Sequence, residues 1–406
     1  MQDADLPPAC GLVKQTPPPH DGRLFKGLSS RDGYSIRLFY LWNPILTNTR
    51  PETFDSLTGL RFLLSIWIAV FHLGDMYDHA GFGSWPIMKA GVARVDIFFV
   101  LSGFVLAHIY WARSKAKFHF PTFMRARFAR LYPLHLLALA ILAGLVLAAH
   151  LVGKGDEARN FTTLGLVANI FLLQAWGVPG AGVWNFPGWT ISAEFFGYLL
   201  FPAFLWIAGK LRHRPWLFLF LSVALVLLID LGFRLLLGRT MTQSTADLGI
   251  LRGASVILVG VAARVVFETW HLSSRNALRV LLFGALIAVS GAFFGLTTAM
   301  VALGGALLVI GLAARDVTKP TSGVGTGLDA PLMVRLGGWS YAIFILHVPI
   351  FMATQNLAGV LGTPIPINLL TIVVMVGLLM LVSALAHYVI EEPARLWLRG
   401  SSRRAQ

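Results

Sequence analysis

The sequence predicts an all-α fold, a polytopic transmembrane helical bundle of about ten spans with one re-entrant or short segment. Three observations predict it. Hydrophobic residues make up 56% of the 406 residues and charged residues only 13%, where a soluble domain carries roughly a quarter charged. Apolar segments of about 20 residues, long enough to cross a hydrocarbon core of about 30 Å, recur from Leu57 almost to the C-terminus. Lys and Arg collect in short stretches between those segments, as topology-setting charge does.

Taken in order, residues 1–56 contain no apolar run, only Pro-rich and mixed-charge sequence such as Gln15–His20 (QTPPPH), and read as a mostly disordered cytoplasmic tail. Apolar runs then predict spans near 57–77, 91–111, 131–152, 189–209, 215–237, 249–267, 277–295, 297–314, 338–359 and 367–389. A further run near 162–176 is shorter and is followed by the Pro/Gly-rich, uncharged stretch 177–188. The stretch 112–130 holds Arg113, Lys115, Lys117, Arg125, Arg127 and Arg130, which makes it cytoplasmic by the positive-inside bias. The other basic clusters, Lys210–Arg214 among them, fall on the same side only if 162–176 makes no net crossing. Ten spans with both termini inside therefore fit better than eleven. The transmembrane domain is 57–393, and 394–406 is a basic cytoplasmic tail.

The net charge of +14 excludes little by itself. In a soluble chain it would suggest nucleic acid, but no basic-aromatic domain is present to bind it, and membrane lipid is the expected partner of these loops. Cys10 is the single cysteine, so an internal disulfide and a cysteine metal site are both excluded. No Gly-rich phosphate loop, metal-ligand cluster or serine nucleophile elbow appears, and Ser102–Phe104 (SGF) reads as a small-residue packing contact.

An ionisable side chain inside a span costs at least about 2.5–3.5 kcal/mol on insertion scales, so each one needs a reason. Arg61 and His72 stand eleven residues apart in TGLRFLLSIWIAVFHLG. At about 100° per residue they share one helix face, separated by a rise of roughly 16 Å. A snorkelling Arg with a hydrogen-bonded His is the bland alternative, and it does not explain the alignment. Asp96 near the start of the second span and Glu194 near the start of the span at 189–209 are expected at about the depth of His72. A carboxylate beside an imidazole fixes its tautomer and raises its basicity, as general-base catalysis requires. Glu194, Asp96 and Asp75 (three residues past His72) all remain open as that partner. Arg125, Arg127 and Arg130 either anchor the membrane face or bind the phosphates of an anionic cosubstrate, with Arg61 joining them. His347, mid-span in SYAIFILHVPI, either packs or lines the same cavity, and Glu391 and Glu392 are expected to fix the end of the last helix.

With these residues in place the sequence resembles the acyltransferase 3 family of membrane acyltransferases, colinearly over about 55–400. Arg61 and His72 resemble its first-helix Arg-x10-His signature, and VDIFFVLSGFVL its second helix. RFARLYP (Arg127 to Pro133) is similar to its basic RxxR loop, WTISAEFFGYLLFP to the segment written WSLSxE, and LGGWSYAIFILHVP and EEPARLWLR to its last two helices. The resemblance implies transfer of an acyl group, usually acetyl from acetyl-CoA, to a hydroxyl of a glycan or lipid-linked sugar, with Arg61, His72, Arg127, Arg130 and Glu194 functionally important. It also implies residence in the bacterial cytoplasmic (inner) membrane. Two departures stand out. Many members carry a second Glu where this chain has Phe195. Some carry an additional C-terminal hydrolase-like domain, whereas this chain stops soon after Arg399 and is expected to act alone or with polysaccharide-synthesis partner proteins.

The expected mechanism needs no metal and no permanently bound cofactor. Acyl-CoA is a cosubstrate, its phosphates held by Arg125, Arg127, Arg130 and Arg61. His72, oriented by Glu194 or Asp96, deprotonates an acceptor hydroxyl arriving from outside. The variant is an acyl-histidine intermediate on His72. The competing class is a secondary transporter or lipid-linked sugar flippase with an intramembrane proton relay, disfavoured because the two halves show no evident repeat.

Overall fold

The computed structural model describes residues 53–77, 93–111, 118–294, 297–318, 325–363, 365–366 and 368–400. The expected N-terminal tail lies outside them except for its last four residues. All regular structure among the described residues is helical, and ten helices are long and apolar enough to cross a membrane.

The long helices are α1 (Asp55–Tyr77), α2 (Ala93–Trp111), α3 (Phe120–Leu151), α5 (Trp189–Leu211), α6 (Pro215–Leu237), α7 (Gly249–Thr269), α8 (Ser274–Phe293), α9 (Thr298–Val317), α11 (Ser340–Leu361) and α12 (Leu369–Ala386). Two short helices join them, α4 (Thr163–Ile170) and α10 (Pro331–Gly338), and a third, α13 (Glu392–Gly400), follows α12. Between α12 and α13, His387–Glu391 forms one π turn. Pro393 has no N–H to offer the Val389 carbonyl, and the rod widens there rather than breaking.

Helix α7 is the axle of the bundle, with almost its whole length buried against α2, α5, α6 and α9. Apolar burial cannot drive helices together inside lipid, so close backbone approach between small residues has to do so. A Cβ on Gly103 would lie 2.0 Å from the Ile257 carbonyl oxygen, and one on Gly260 would lie 2.0 Å from that of Val100. These two glycines set the α2–α7 crossing, and α8 and α9 meet the same way at Gly284 and Gly304. The SGF packing expectation therefore holds for Gly103.

Two differences from the sequence reading bear on function. First, the third span starts eleven residues early. His119 caps the helix by accepting from the Thr122 N–H, Pro121 occupies the first turn, and Arg125, Arg127 and Arg130 are helical rather than in a loop. Arginine is a good helix former, so charge there marks the membrane edge without marking the helix end. Second, the 162–176 run gives only the eight-residue α4, about 12 Å long and too short to cross. The irregular chain after it is buried at Ala181, Trp184, Asn185 and Pro187, so protein groups must satisfy its backbone. Asn169 Nδ2 donates to the Gly165 and Ala181 carbonyls, Trp184 Nε1 to Thr162 O, and Gln174 Nε2 to Gly188 O. Asn185 Nδ2 donates to Ile345 O of α11 at 3.0 Å, which pins the segment among the helices as a re-entrant element.

Candidate active site

Two cavities lie along α1. The first, about 190 Å³, is lined by Arg61 from α1, Arg127 and Arg130 from α3, Ser102 from α2, and Glu194 and Tyr198 from α5. Arg127 and Arg130 are three residues apart and so share a helix face. Arg125, two residues and about 200° away from Arg127, does not line the cavity. None of the three lining guanidiniums forms an ion pair with a carboxylate among the described residues. The Arg127 guanidinium stands over the rings of Tyr110 (5.8 Å) and Phe123 (5.9 Å), with its buried Nε unpartnered. Glu194 is the single acidic lining residue, and it accepts a hydrogen bond from Ser102 Oγ at 2.5 Å. Tyr341 closes one side, donating its hydroxyl to the Leu131 carbonyl. Three cations against one carboxylate, in a site mostly walled by apolar side chains, leave an excess of positive charge of the kind that bidentate contacts to a polyanion would neutralise.

The second cavity, about 260 Å³, holds His72, Arg94, Trp189, Thr242, Gln243, Thr245 and Arg252. The re-entrant segment presses Phe186 edge-on against the His72 ring, with centroids 4.7 Å apart. On another side the His347 ring stacks on that of His72 at 5.2 Å and 14°. His347 is fully buried, and its Nδ1 lies 2.6 Å from the Phe344 carbonyl. A carbonyl only accepts, so Nδ1 carries the proton, leaving Nε2 as an acceptor when the ring is neutral. Nε2 of His347 and Nδ1 of His72 are both buried without a hydrogen-bond partner.

Val95, Thr190 and Phe344 line both cavities and are the wall between them. Thr190 donates its hydroxyl to Pro187 O at 2.9 Å, so the wall has little polarity to offer a solvent chain. Arg61 opens on one side of it and His72 on the other, as the shared helix face of the pair requires.

The carboxylates are not where equal depth would put them. Asp96 binds Arg252 bidentately, at 2.8 Å to Nε and 2.9 Å to Nη2, with both side chains almost fully buried. Glu194 faces the other cavity, and Asp75 is exposed. The ring neighbour of His72 is His347 rather than any of the three. Depth along a helix fixes height but not azimuth. The height estimate for Glu194 is also offset, because α5 starts below the end of the bundle. Its first residue, Trp189, packs on Phe99, and Ser102, the partner of Glu194, lies six residues, or about 9 Å, beyond Asp96. The sequence reading passed over Arg94 and Arg252, and took Ser102 as a packing contact where its hydroxyl donates to Glu194. Arg94 and Arg252 carried the same signal as Arg61, a charge within an apolar run.

Residues 54–389 match the family model of an acyltransferase domain. The chain belongs to the acyltransferase 3 family. It is a multi-pass integral membrane acyltransferase. The acyltransferase MdmB of Streptomyces mycarofaciens is 28% identical over 76% of this chain and 82% of its own length. The exopolysaccharide production protein ExoZ of Rhizobium meliloti is 27% identical over 81% of this chain and 96% of its own. The peptidoglycan O-acetyltransferase OatA of Listeria monocytogenes is 26% identical over 84% of this chain but only 55% of its own length. No solved structure matches the chain. Arg61, His72, Arg127, Arg130, Glu194 and His347 all fall within the segment matched to the acyltransferase 3 family.

Proposed function

We propose that this acyltransferase moves an acyl group, acetyl by preference, from cytoplasmic acyl-CoA to a hydroxyl of a polysaccharide or lipid-linked sugar at the outer side of a bacterial cytoplasmic membrane. The observation that carries the reading is the pair of cavities with one common wall, cationic on one side and built around His72 on the other. The names of two relatives support a glycan acceptor, since one is an exopolysaccharide production protein and the other a peptidoglycan O-acetyltransferase.

The donor enters from the end of the bundle where the basic residues of α3 lie, which is the cytoplasmic end by charge bias. Arg61, Arg127 and Arg130 take its phosphates as charge-assisted, bidentate partners. The arm of the donor runs along α1 and brings the thioester to the Val95–Thr190–Phe344 wall, a distance of the order of the roughly 16 Å rise from Arg61 to His72. The sugar hydroxyl enters the second cavity, where His72 removes its proton. With the Phe344 side chain turned aside so that the two meet, the alkoxide oxygen attacks the thioester carbonyl, the C–S bond breaks, and the thiolate takes the proton held by His72 as CoA leaves. The imidazolium formed at His72 lies on the face of neutral His347, and a ring face of that kind favours a cation. Asp96 acts at a distance, holding Arg252 in the wall of the acceptor cavity, and Glu194 orients Ser102 on the donor side.

The test uses purified protein with labelled acetyl-CoA and an exopolysaccharide acceptor. Acetyl-CoA is expected to raise the melting temperature of the wild type, and His72→Ala, inserted normally, to lose transfer by about a hundredfold or more. Full transfer by His72→Ala would defeat the reading. Label retained on His72 without acceptor would replace direct transfer by an acyl-histidine route.

A further inference from the structure

The acceptor cavity holds a cation that the transfer chemistry does not use. Arg94 is 2% exposed and lines the cavity beside His72. Its guanidinium stands over two aromatic faces of α1, 4.9 Å from the Trp67 ring centroid and 4.7 Å from that of Phe71. One N–H, on Nη1, donates to the Trp67 carbonyl at 3.1 Å. Its Nε is buried and has no hydrogen-bond partner. A guanidinium carries five in-plane N–H donors, and ring faces accept none of them in that plane. Arg94 is thus held in a fixed orientation with donors to spare.

Its charge is uncompensated within the cavity. Arg252, the other guanidinium there, is matched by Asp96, and no acidic residue lines the cavity among the described residues. A buried cation is costly unless something neutralises it, and Arg94 makes no ion pair with a described carboxylate. The geometry points to the missing partner arriving with the substrate. We infer that Arg94 binds an oxyanion, carboxylate or phosphate, carried by the sugar acceptor, so that the enzyme selects an acidic acceptor and places its hydroxyl at His72. The fork of a guanidinium matches both oxyanions bidentately. Thr242, Gln243 and Thr245 line the same cavity and supply neutral hydrogen-bonding groups for the sugar hydroxyls. The inference rests on the second cavity being the acceptor site, and it names the acceptor's charge.

The test is equilibrium binding to the full-length protein in detergent without donor, so that it does not depend on acyl-CoA being the donor. Three probes separate the sources of the oxyanion: a galacturonate oligosaccharide, a neutral galactose oligosaccharide of equal length, and a short-chain prenyl diphosphate sugar. The wild type is expected to bind one of the two anionic probes at least tenfold more tightly than the neutral one. Arg94→Gln should remove that preference and leave the neutral probe unchanged, while Arg94→Lys, keeping the charge without the fork, should retain part of it. The acetyl-CoA-induced rise in melting temperature, which reads the Arg61 cavity, reports that each variant is folded. If acetyl-CoA fails to stabilise the wild type while the anionic preference tracks Arg94, the donor assignment falls and the inference stands. Equal binding of all three probes by the wild type, or an anionic preference that survives in Arg94→Gln, overturns it.

Discussion

The buried pair Asp96–Arg252 separates a positioning role from a chemical one. Two N–H···O bonds of 2.8 and 2.9 Å join side chains that are 0% and 1% exposed. Removing one partner leaves the other charge buried and uncompensated, a loss of about 3–5 kcal/mol, whereas replacing both by apolar residues of similar volume is often neutral or stabilising. Asp96→Leu alone should therefore lower the melting temperature by roughly 6–10 °C, taking about 2 °C per kcal/mol for a chain of this size, and Arg252→Met alone by a similar amount. The double variant should melt near the wild type, with a coupling of about 2 kcal/mol or more in the double-mutant cycle. Because Asp96 reaches the second cavity only through Arg252, transfer by the double variant should recover to within about tenfold of wild type. That is a loss of about 1.4 kcal/mol, in keeping with one displaced cavity wall. Melting in detergent and acyl transfer measured side by side decide the point. A double variant that melts like wild type yet transfers nothing would show that Asp96 or Arg252 acts on the reacting atoms, and would refute the positioning argument.

Three other expectations are sharp enough to test. Arg127→Ala and Arg130→Ala should each raise the KM for acetyl-CoA about tenfold or more, the loss of one charge-assisted bond, while Arg125→Ala, off the cavity, should stay within about twofold; steady-state kinetics with varied donor reads this directly. Phe344→Ala thins the wall between the cavities and should increase donor hydrolysis in the absence of acceptor, measured as free thiol released from acetyl-CoA. Gly260→Ala places a methyl 2.0 Å from the Val100 carbonyl oxygen, and so should cost about 1–3 kcal/mol through overpacking. Gly144→Ala, on α3 with nothing within 4 Å, should leave melting unchanged or raised. Equal melting temperatures for Gly260→Ala and Gly144→Ala would count against the close α2–α7 crossing.

The bundle was legible because hydropathy and length are local properties. All ten predicted spans correspond to helices, and the shortness of the 162–176 run predicted an element that does not cross. The early start of α3 was missed because its first three turns are basic, and only the His119 cap and Pro121 signalled a helix beginning there. Within the site, the Arg61–His72 relation was readable because both residues sit on one helix, where angle and rise follow from the residue count. The partner of His72 was not readable. His347 comes from α11, and which residue of a second helix faces His72 depends on how that helix is rotated. The Asn185–Ile345 bond and the Gly103–Gly260 crossing, which help set such rotations, are long-range contacts. Arg252 was invisible as the mate of Asp96 for the same reason, being 156 residues away in sequence.

On the proposed reading, Val95, Thr190 and Phe344 also guard against what the cell could lose each time the enzyme turns over. A protein that admits a nucleotide coenzyme from one face and a sugar from the other contains two inlets that point at each other. Were they to join, hydronium and small cations would leak through and run down the proton-motive force. Three side chains, two of them without a polar atom and the third with its hydroxyl occupied by Pro187, line both cavities where they adjoin. On the proposed reading one of these side chains has to swing aside before the thioester carbonyl and the alkoxide oxygen come within about 3–3.5 Å of each other, so the moment of transfer is also the moment the seal is weakest. The same three side chains then bound the size of the acyl group, since a longer chain has to displace them further.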